Sequence, residues 1–206
     1  MKQSCVAVAT IFAAAAAHAE TIGFDRDPPG SLPMAWEQGV TGKGAARWAV
    51  VQDESAPSQP NVLRQSGVGA FPWAVLRGKA IEDGFVEVRF KALAGKEDQA
   101  GGVVWRWKDG DNYYVARANA LENNVSLYYT QGGRRITIKY VDAPVPPKVW
   151  HTLRVEFSSS RISVALNGKT YIDLKDEHIR GAGAVGLWTK ADSVTAFDDF
   201  SFGSAR

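Results

Sequence analysis

Short alternating runs of apolar and polar residues, separated by turn-forming residues, constrain this chain more than any other feature. In FVEVRFKAL (85–93), apolar residues alternate with charged ones, which is the period of a half-buried β-strand. ISVAL (162–166) repeats the pattern, and the following Asn167-Gly168 is favoured in tight hairpins. Nine prolines and 20 glycines interrupt such runs throughout the chain. The sequence therefore predicts an all-β, two-sheet antiparallel jelly-roll sandwich, with a single short helix over 174–181.

The first residues form a separate segment. Lys2 precedes an apolar run over 6–17, and Ala17-His18-Ala19 is an A-x-A cleavage site, so residues 1–19 are predicted to be a secretory signal peptide. The run is shorter than the roughly 20 residues that a membrane span needs. We expect residues 20–206 to form a single periplasmic or extracellular domain, with no membrane attachment after cleavage.

Cysteine and charge exclude several functions for the mature domain. The only cysteine, Cys5, lies in the signal segment, which excludes disulfides, thiol catalysis and cysteine-ligated metals. Without Lys2, 23 basic residues stand against 22 acidic ones, and this balance gives no electrostatic reason to expect nucleic acid as a partner. The basic doublet Arg134-Arg135 is interpreted as the solvated end of a hairpin.

The stretch GGVVWRWKDGDNYYVARANALENNVSLYYT (101–130) is unusually rich in aromatic, arginine and asparagine residues. If Asp109-Gly110 is a two-residue turn, Trp105 pairs with Tyr114 and belongs to an apolar face. The opposite face then carries planar donors that suit hydroxyl and carboxylate groups. We interpret this face as a binding surface, with a solvated outer face as the alternative. Its members are Arg106, Tyr113, Arg117 and Asn119.

This stretch, together with WHTLRVEF (150–157), ISVALNGK (162–169) and GAVGLWTKADSVTAFDDFSF (183–202), resembles secreted bacterial domains of the concanavalin A-like lectin/glucanase superfamily. The chain is most similar to the 3-keto-disaccharide hydrolase-like group, which in turn is similar to laminin G-like sandwiches. The resemblance implies a curved sheet with a groove that binds or cleaves a carbohydrate or glycoside. The groove candidates that it implies are Arg106, Arg117, Asn119, Glu122, Asn124, Trp188 and Lys190. Strand alternation points Trp188 away from Val185 and Leu187, which makes it the candidate for stacking on a sugar.

The chemistry of such a groove has two possible forms. Sandwich glucanases that retain configuration use a Glu-x-Asp-x-Glu strand, and the chain has none. Cleavage of a 3-keto-glycoside needs only one base and an electrophilic donor, because the ketone acidifies the neighbouring C–H bond. Glu122 is the candidate base, with Arg117 or Lys190 stabilising the enolate. The alternative is that Glu122 pairs with an arginine in a non-catalytic glycan-binding module of lectin-like or laminin G-like type.

No cofactor or metal is predicted. Asp109-Gly110-Asp111-Asn112 has the start of a calcium loop, but Ala120 occupies the position of the required glutamate, so the segment is interpreted as a turn. His151 lies in a strand and is interpreted as structural. Asp198-Asp199 are adjacent in a strand, so we expect their side chains to point to opposite faces.

Overall fold

The structure of the protein, a computed structural model, describes residues 19–205, and these residues form fifteen strands and no helix. The strands are β1 (Glu20–Ile22), β2 (Trp36–Gly44), β3 (Trp48–Gln52), β4 (Asn61–Gln65), β5 (Gly69–Leu76), β6 (Gly84–Ala94), β7 (Ala100–Asp109), β8 (Asn112–Asn119), β9 (Asn124–Gln131), β10 (Arg134–Asp142), β11 (His151–Ser158), β12 (Arg161–Leu166), β13 (Lys169–Lys175), β14 (Ala184–Trp188) and β15 (Val194–Ser204). The predicted signal peptide falls almost wholly on residues 1–18, outside the described residues, and stays a prediction.

The strands form two antiparallel sheets that pack face to face. The eight-stranded sheet has the order β13-β12-β11-β6-β15-β4-β3, with β1 paired to β15. The seven-stranded sheet has the order β10-β9-β8-β7-β14-β5-β2. The predicted jelly-roll sandwich is therefore confirmed. Within residues 19–205, no helix of the length and apolarity needed to cross a bilayer occurs.

The predicted helix over 174–181 is wrong. Strand β13 continues to Lys175, and an irregular loop follows it. The Asp176 carboxylate anchors this loop, since it accepts hydrogen bonds from the Tyr114 hydroxyl and from the backbone N–H of His178. Side chains that bind their own backbone in this way compete with helix formation.

The core between the sheets contains the apolar face that the alternation predicted. Val88 and Phe90 of β6 belong to the same buried cluster as Trp105 and Tyr114 of the opposite sheet. The Trp105 and Tyr114 rings are stacked, with centroids 5.2 Å apart, and Phe157 of β11 lies 5.9 Å from Trp105. The apolar face of β7 and β8 thus points inward, and its opposite face points away from the core.

The predicted hairpin between β12 and β13 is confirmed. Leu166 pairs with Lys169, which leaves Asn167 and Gly168 as the turn residues. Their φ angles are 52° and 79°, the left-handed values that a type I′ turn requires.

The outer face of the seven-stranded sheet is strongly concave. Strands β2 and β8 are four strand-to-strand steps apart in the sheet order, which corresponds to roughly 19 Å across a flat sheet. Nevertheless, the Thr41 hydroxyl on β2 and the Tyr113 hydroxyl on β8 are hydrogen-bonded at 2.8 Å. Thr41 also donates to the carbonyl oxygen of Gly110 in the β7–β8 turn. The sheet must therefore curl over this face, which we call the concave face.

Candidate functional site

The concave face has an aromatic floor. Its buried members are Trp73, Val75, Ala100, Val104, Tyr113, Val115, Tyr128 and Trp188, and the partly exposed Phe71 and Trp107 pack on them. Trp188 points away from Val185 and Leu187 as predicted, because these two belong to the main core. However, Trp188 is fully buried, and the Phe71 ring stacks on it with an interplanar angle of 17°. Among these rings Phe71 and Trp107, rather than Trp188, retain surface that a sugar can reach.

The turn between β7 and β8 lies one residue later than predicted. Asp109 pairs with Asn112, so Gly110 and Asp111 form the turn. Trp105 still pairs with Tyr114, because a bulge between 105 and 109 absorbs two extra residues of β7. The predicted faces therefore remain correct from Trp105 back to the start of β7 and from Tyr114 to the end of β8.

Arg106 lies at this bulge, and the prediction that it shares a face with Tyr113 and Arg117 is wrong. Its φ angle is 46°, which turns the side chain away from the concave face. The guanidinium is buried at one end of the sandwich, where it donates to the carbonyl oxygens of three loop residues and pairs with Asp83 at 3.2 Å. Those carbonyls belong to Glu82, Ile179 and Ser159. Arg106 thus links loops instead of facing a ligand.

Five predicted site residues come together at one end of the concave face through a residue that the sequence did not single out, Asp98. Its Oδ1 accepts hydrogen bonds from Arg117 Nη1 at 3.3 Å and from Asn119 Nδ2 at 2.9 Å. Its Oδ2 accepts from Lys190 Nζ at 2.6 Å. Asp98 has no exposed surface, so its charge is balanced entirely by these donors. The polar network, as we call this group, consists of Asp98, Arg117, Asn119, Glu122, Asn124 and Lys190.

Glu122 forms the exposed side of the polar network. Its Oε2 accepts hydrogen bonds from Arg117 Nη2 at 2.7 Å and from Asn124 Nδ2 at 2.9 Å. Burial favours the neutral acid, but the Asn124 hydrogen bond and the Arg117 charge outweigh this effect, so the pKa of Glu122 lies below its usual value. The side chain is 39% exposed, and Oε1 has no protein partner among residues 19–205. One carboxylate oxygen therefore remains available to a ligand.

Arg117 is held from two sides and has no exposed surface. Besides its two carboxylate partners, its Nε and Nη2 donate to the Tyr128 hydroxyl at 3.2 and 3.1 Å. The Tyr128 hydroxyl is in turn hydrogen-bonded to that of Tyr140 at 2.6 Å, and Tyr140 is 48% exposed. Arg117 thus orients Glu122 and cannot itself touch a ligand in this arrangement.

Arg135 is a second residue that sequence reasoning missed, since the doublet Arg134-Arg135 was interpreted as solvated. Arg135 pairs with Thr130 across β9 and β10, and its side chain lies over the aromatic floor. The guanidinium carbon is 4.3 Å from the Tyr128 ring centroid and 4.6 Å from that of Phe71. In a regular strand the two residues of such a doublet point to opposite faces, and this alternation is the signal that could have identified Arg135.

Tyr113 lies on the concave face as predicted, but at the opposite end from the polar network. It is fully buried, and its hydroxyl is bonded to Thr41. Burial raises the pKa of Tyr113 above its usual value, so the phenol is neutral at physiological pH. Tyr113 helps to form the floor and offers no free surface to a ligand.

A further cavity, of about 520 Å³, lies on the outer face of the eight-stranded sheet. Arg154 covers the Phe85 ring there at 4.1 Å and pairs with Glu87 at 3.3 Å, and Arg161 pairs with Asp173 at 2.7 Å. The arginines of this cavity are therefore matched by neighbouring carboxylates. None of the predicted site residues lines it, and the concave face, which carries most of them, remains the candidate site.

The described part of the chain contains no cluster of side chains suited to binding a metal ion. No group of three or more His, Asp or Glu side chains comes together there in a way that suits a metal ion. The Asp109 carboxylate accepts hydrogen bonds from the backbone of Asp111 and the amide of Asn112, which is the arrangement of a turn. His151 is buried between Pro146 and Asn167, whose polar atoms satisfy both ring nitrogens. The prediction that the chain uses no metal, calcium included, stays a prediction.

Comparison with solved structures shows that the fold is shared with proteins of low sequence identity. The carbohydrate-binding module CBM66 from Bacillus subtilis superposes with a TM-score of 0.67 at 18% identity, over 82% of this chain and 94% of that one. The β-glucanase of Bacillus licheniformis superposes with a TM-score of 0.61 at 11% identity, over 92% of this chain and 98% of that one. A putative glycosyl hydrolase from Parabacteroides distasonis superposes with a TM-score of 0.54 at 17% identity, over 82% of this chain and 99% of that one. No curated protein matches the sequence significantly. The sequence pattern of the 3-keto-alpha-glucoside-1,2-lyase-like domain matches residues 28–202.

Proposed function

The chain belongs to the 3-keto-alpha-glucoside-1,2-lyase-like domain family, and from that premise we propose that it binds a saccharide on the concave face and cleaves 3-keto-glycosides there. The observation that carries the proposal is the placement of Glu122. Its carboxylate is partly exposed with one free oxygen, it lies close enough to Lys190 for that charge to lower its pKa, and its partner Arg117 packs near the Tyr128 ring of the aromatic floor. The signal-like sequence of residues 1–19 supports a secreted, periplasmic or extracellular protein.

The proposed reaction is an elimination across C1 and C2 of the keto-sugar. A ketone at C3 makes the C2 proton acidic, and Glu122 removes it with its free Oε1. The electron pair left at C2 gives an enolate whose charge lies on the C3 oxygen. When the ketone re-forms, a C1–C2 double bond forms and the C1–O bond breaks. The leaving oxygen takes up the proton that Glu122 accepted, so an unsaturated keto-sugar and an alcohol are the products.

Two cationic residues have different roles in this scheme. Lys190 is 27% exposed, and its ammonium has donors beyond the one that binds Asp98. These observations support a role for Lys190 in stabilising the enolate oxygen. Arg117 is sealed beneath the surface and acts as a positioning residue, because it fixes the rotamer of Glu122. Asp98 is fully buried and cannot serve as the second carboxylate of an ordinary glycosidase.

A non-catalytic glycan-binding module is the second candidate function. The observation that favours it is the close pairing of Glu122 with Arg117 at 2.7 Å, which lowers the pKa of the carboxyl. A weaker base removes a C–H proton less readily. The likeness in fold to CBM66 is compatible with this reading.

Glu122→Gln separates the two candidates. We expect the wild type to convert 3-keto-disaccharides, and the variant to lose about 10²–10⁴ of the rate while still binding saccharide, since the base is lost but the shape is kept. Glu177→Gln, which removes an equal charge from the exposed pair with Arg180, is the matched control and should keep full activity. Binding without turnover of any keto-sugar by the wild type would favour the binding module. Absence of both binding and turnover would exclude both functions.

A further inference from the structure

Arg135 carries a positive charge over the aromatic floor of the concave face. It lies on β10, the outermost strand on its side of the seven-stranded sheet, and its guanidinium covers Tyr128 and Phe71. The centroid of the Trp188 ring, on which Phe71 stacks, lies 5.7 Å from the same guanidinium carbon. The neighbouring Arg134 is exposed. Position 135 therefore brings a positive charge onto the floor itself.

This charge has no counter-ion within residues 19–205. Arg117 and Lys190 are both paired with carboxylates, whereas Arg135 forms no ion pair there. Its Nη1 is buried and has no hydrogen-bond acceptor. A partly buried charge without a partner is unfavourable, and burial accordingly lowers the pKa of Arg135. A site that keeps such a group in the free protein is prepared for an acceptor that arrives with a ligand.

We infer that the concave face selects saccharides that carry a carboxylate, and that Arg135 binds this carboxylate. The selectivity rests on the proposed function, because it concerns the ligand of the same face. Stacking on the rings fixes the plane of the guanidinium and leaves its in-plane N–H donors free. This planar fork matches a carboxylate through two parallel hydrogen bonds.

The charges around the floor favour the same class of ligand. Arg117 lies on the other side of Tyr128, with its guanidinium carbon 5.7 Å from the ring centroid. Asp98 and Glu122 are already paired with Arg117 or Lys190. Arg135 is thus the cation among these groups that has no carboxylate partner within residues 19–205, and a ligand with one carboxylate would supply it.

Paired saccharides that differ only in the carboxylate test the inference. The probes are the methyl glycosides of glucuronic, galacturonic and mannuronic acid beside those of glucose, galactose and mannose, with binding measured by calorimetry or NMR titration. We expect at least one acid to bind about tenfold or more tightly than its neutral partner, with the preference declining as salt is added. Arg135→Gln should remove the preference, so that each acid binds no more tightly than its neutral partner. Arg134→Gln removes the same charge outside the face and should leave the preference unchanged.

Each possible outcome of these titrations supports or overturns the inference. Equal binding of acidic and neutral partners by the wild type overturns the inference and leaves the proposed function standing. Lack of binding by every probe also overturns the inference, whereas the proposed function is decided separately by turnover of 3-keto-disaccharides. If Arg135→Gln unfolds, Arg135→Lys keeps the charge without the planar fork, and it should retain only part of the preference. A preference that persists unchanged in a folded Arg135 variant assigns the carboxylate to another residue and overturns the inference.

Discussion

At the scale of single residues, Asp98 determines whether the polar network can exist. It is the only carboxylate that contacts Arg117, Asn119 and Lys190 together within the described chain. Because it is fully buried, its interactions with these donors are poorly screened by water. Lys190 consequently depends on Asp98 for its position, and Arg117 is held by Asp98 together with Glu122 and Tyr128. The orientation of Glu122, which Arg117 holds, depends on it indirectly.

Asp98→Asn is expected to lower the free energy of unfolding by about 3–5 kcal/mol, because the amide leaves Arg117 and Lys190 without their shared anion. Urea unfolding followed by tryptophan fluorescence measures this loss. Asp173→Asn is the matched control, since it breaks an exposed pair with Arg161 and should leave stability unchanged. Equal stabilities of wild type and Asp98→Asn would show that the network contributes nothing to the fold.

At the scale of strands, the curvature of the seven-stranded sheet creates the site. The hydrogen bonds of Thr41 connect β2 to β8 and to the β7–β8 turn across the concave side. Glycine allows the same closure: a Cβ atom on Gly39 would lie 2.3 Å from the Trp73 ring, so only a residue without a side chain fits between them. The sheet can therefore curl until its two sides meet at this end.

Thr41→Val keeps the shape of the side chain but removes the hydroxyl. The buried Tyr113 hydroxyl then loses its partner, and we expect the free energy of unfolding to fall by about 1–3 kcal/mol, together with weaker saccharide binding. Thr21→Val removes an exposed hydrogen bond to Ser201 and is the control, with an expected change below about 0.5 kcal/mol. Identical unfolding curves for the two variants would contradict a closing role for Thr41.

At the scale of the whole molecule, the two outer faces differ in what covers them. The segment 53–60 folds over the eight-stranded sheet, where Ser58 donates to Asp198 from its backbone N–H at 2.8 Å and from its hydroxyl at 3.0 Å. The expectation that Asp198 and Asp199 point to opposite faces is wrong. A bulge with φ of 47° at Asp199 turns its carboxylate towards Arg89, on the same outer face.

Asp198 should make the stability of the whole domain depend on pH. Burial, helped by the charge of Asp199, raises the pKa of Asp198 from 3.8 to about 6, despite the hydrogen bonds from Ser58. Because the folded state then holds the proton more tightly than the unfolded state, this stabilising contribution is complete below about pH 4 and is lost as the pH rises through 6. Asp198→Asn cannot ionise and lacks this dependence.

We therefore expect the free energy of unfolding of the variant, relative to wild type, to rise by about 2–3 kcal/mol between pH 4 and pH 7. Urea titrations at four pH values across this range measure the difference. In Asp173→Asn, the group removed has a pKa lowered by the Arg161 hydrogen bond, so it titrates below this range and the profile should parallel wild type. Parallel profiles for Asp198→Asn would show that Asp198 titrates normally.

The sequence predicted the sandwich, the β12–β13 hairpin and the separation of the β7–β8 hairpin into two faces, because each follows from local alternation and turn chemistry. It could not predict that Arg106 leaves its face, since a bulge is not visible in the pattern of side chains. Asp98 and Arg135 were missed for another reason. Asp98 lies in a loop without periodicity, and the direction of Arg135 depends on how β10 pairs with β9.

Strand β10 has a hydrogen-bonded neighbour on one side only, and its pairing with β9 contains an irregularity between Thr137 and Lys139. Arg135 and Tyr140 lie on either side of that irregularity. A shift in the register of this edge strand would displace Arg135 and Tyr140 together. The width of the concave face and the ligand groups that it can bind would then change at the same time. Variants that stiffen or loosen β10 should then alter the width of the concave face and its ligand preference together. Changing only one of these properties would require substitutions on the inner strands of the sheet.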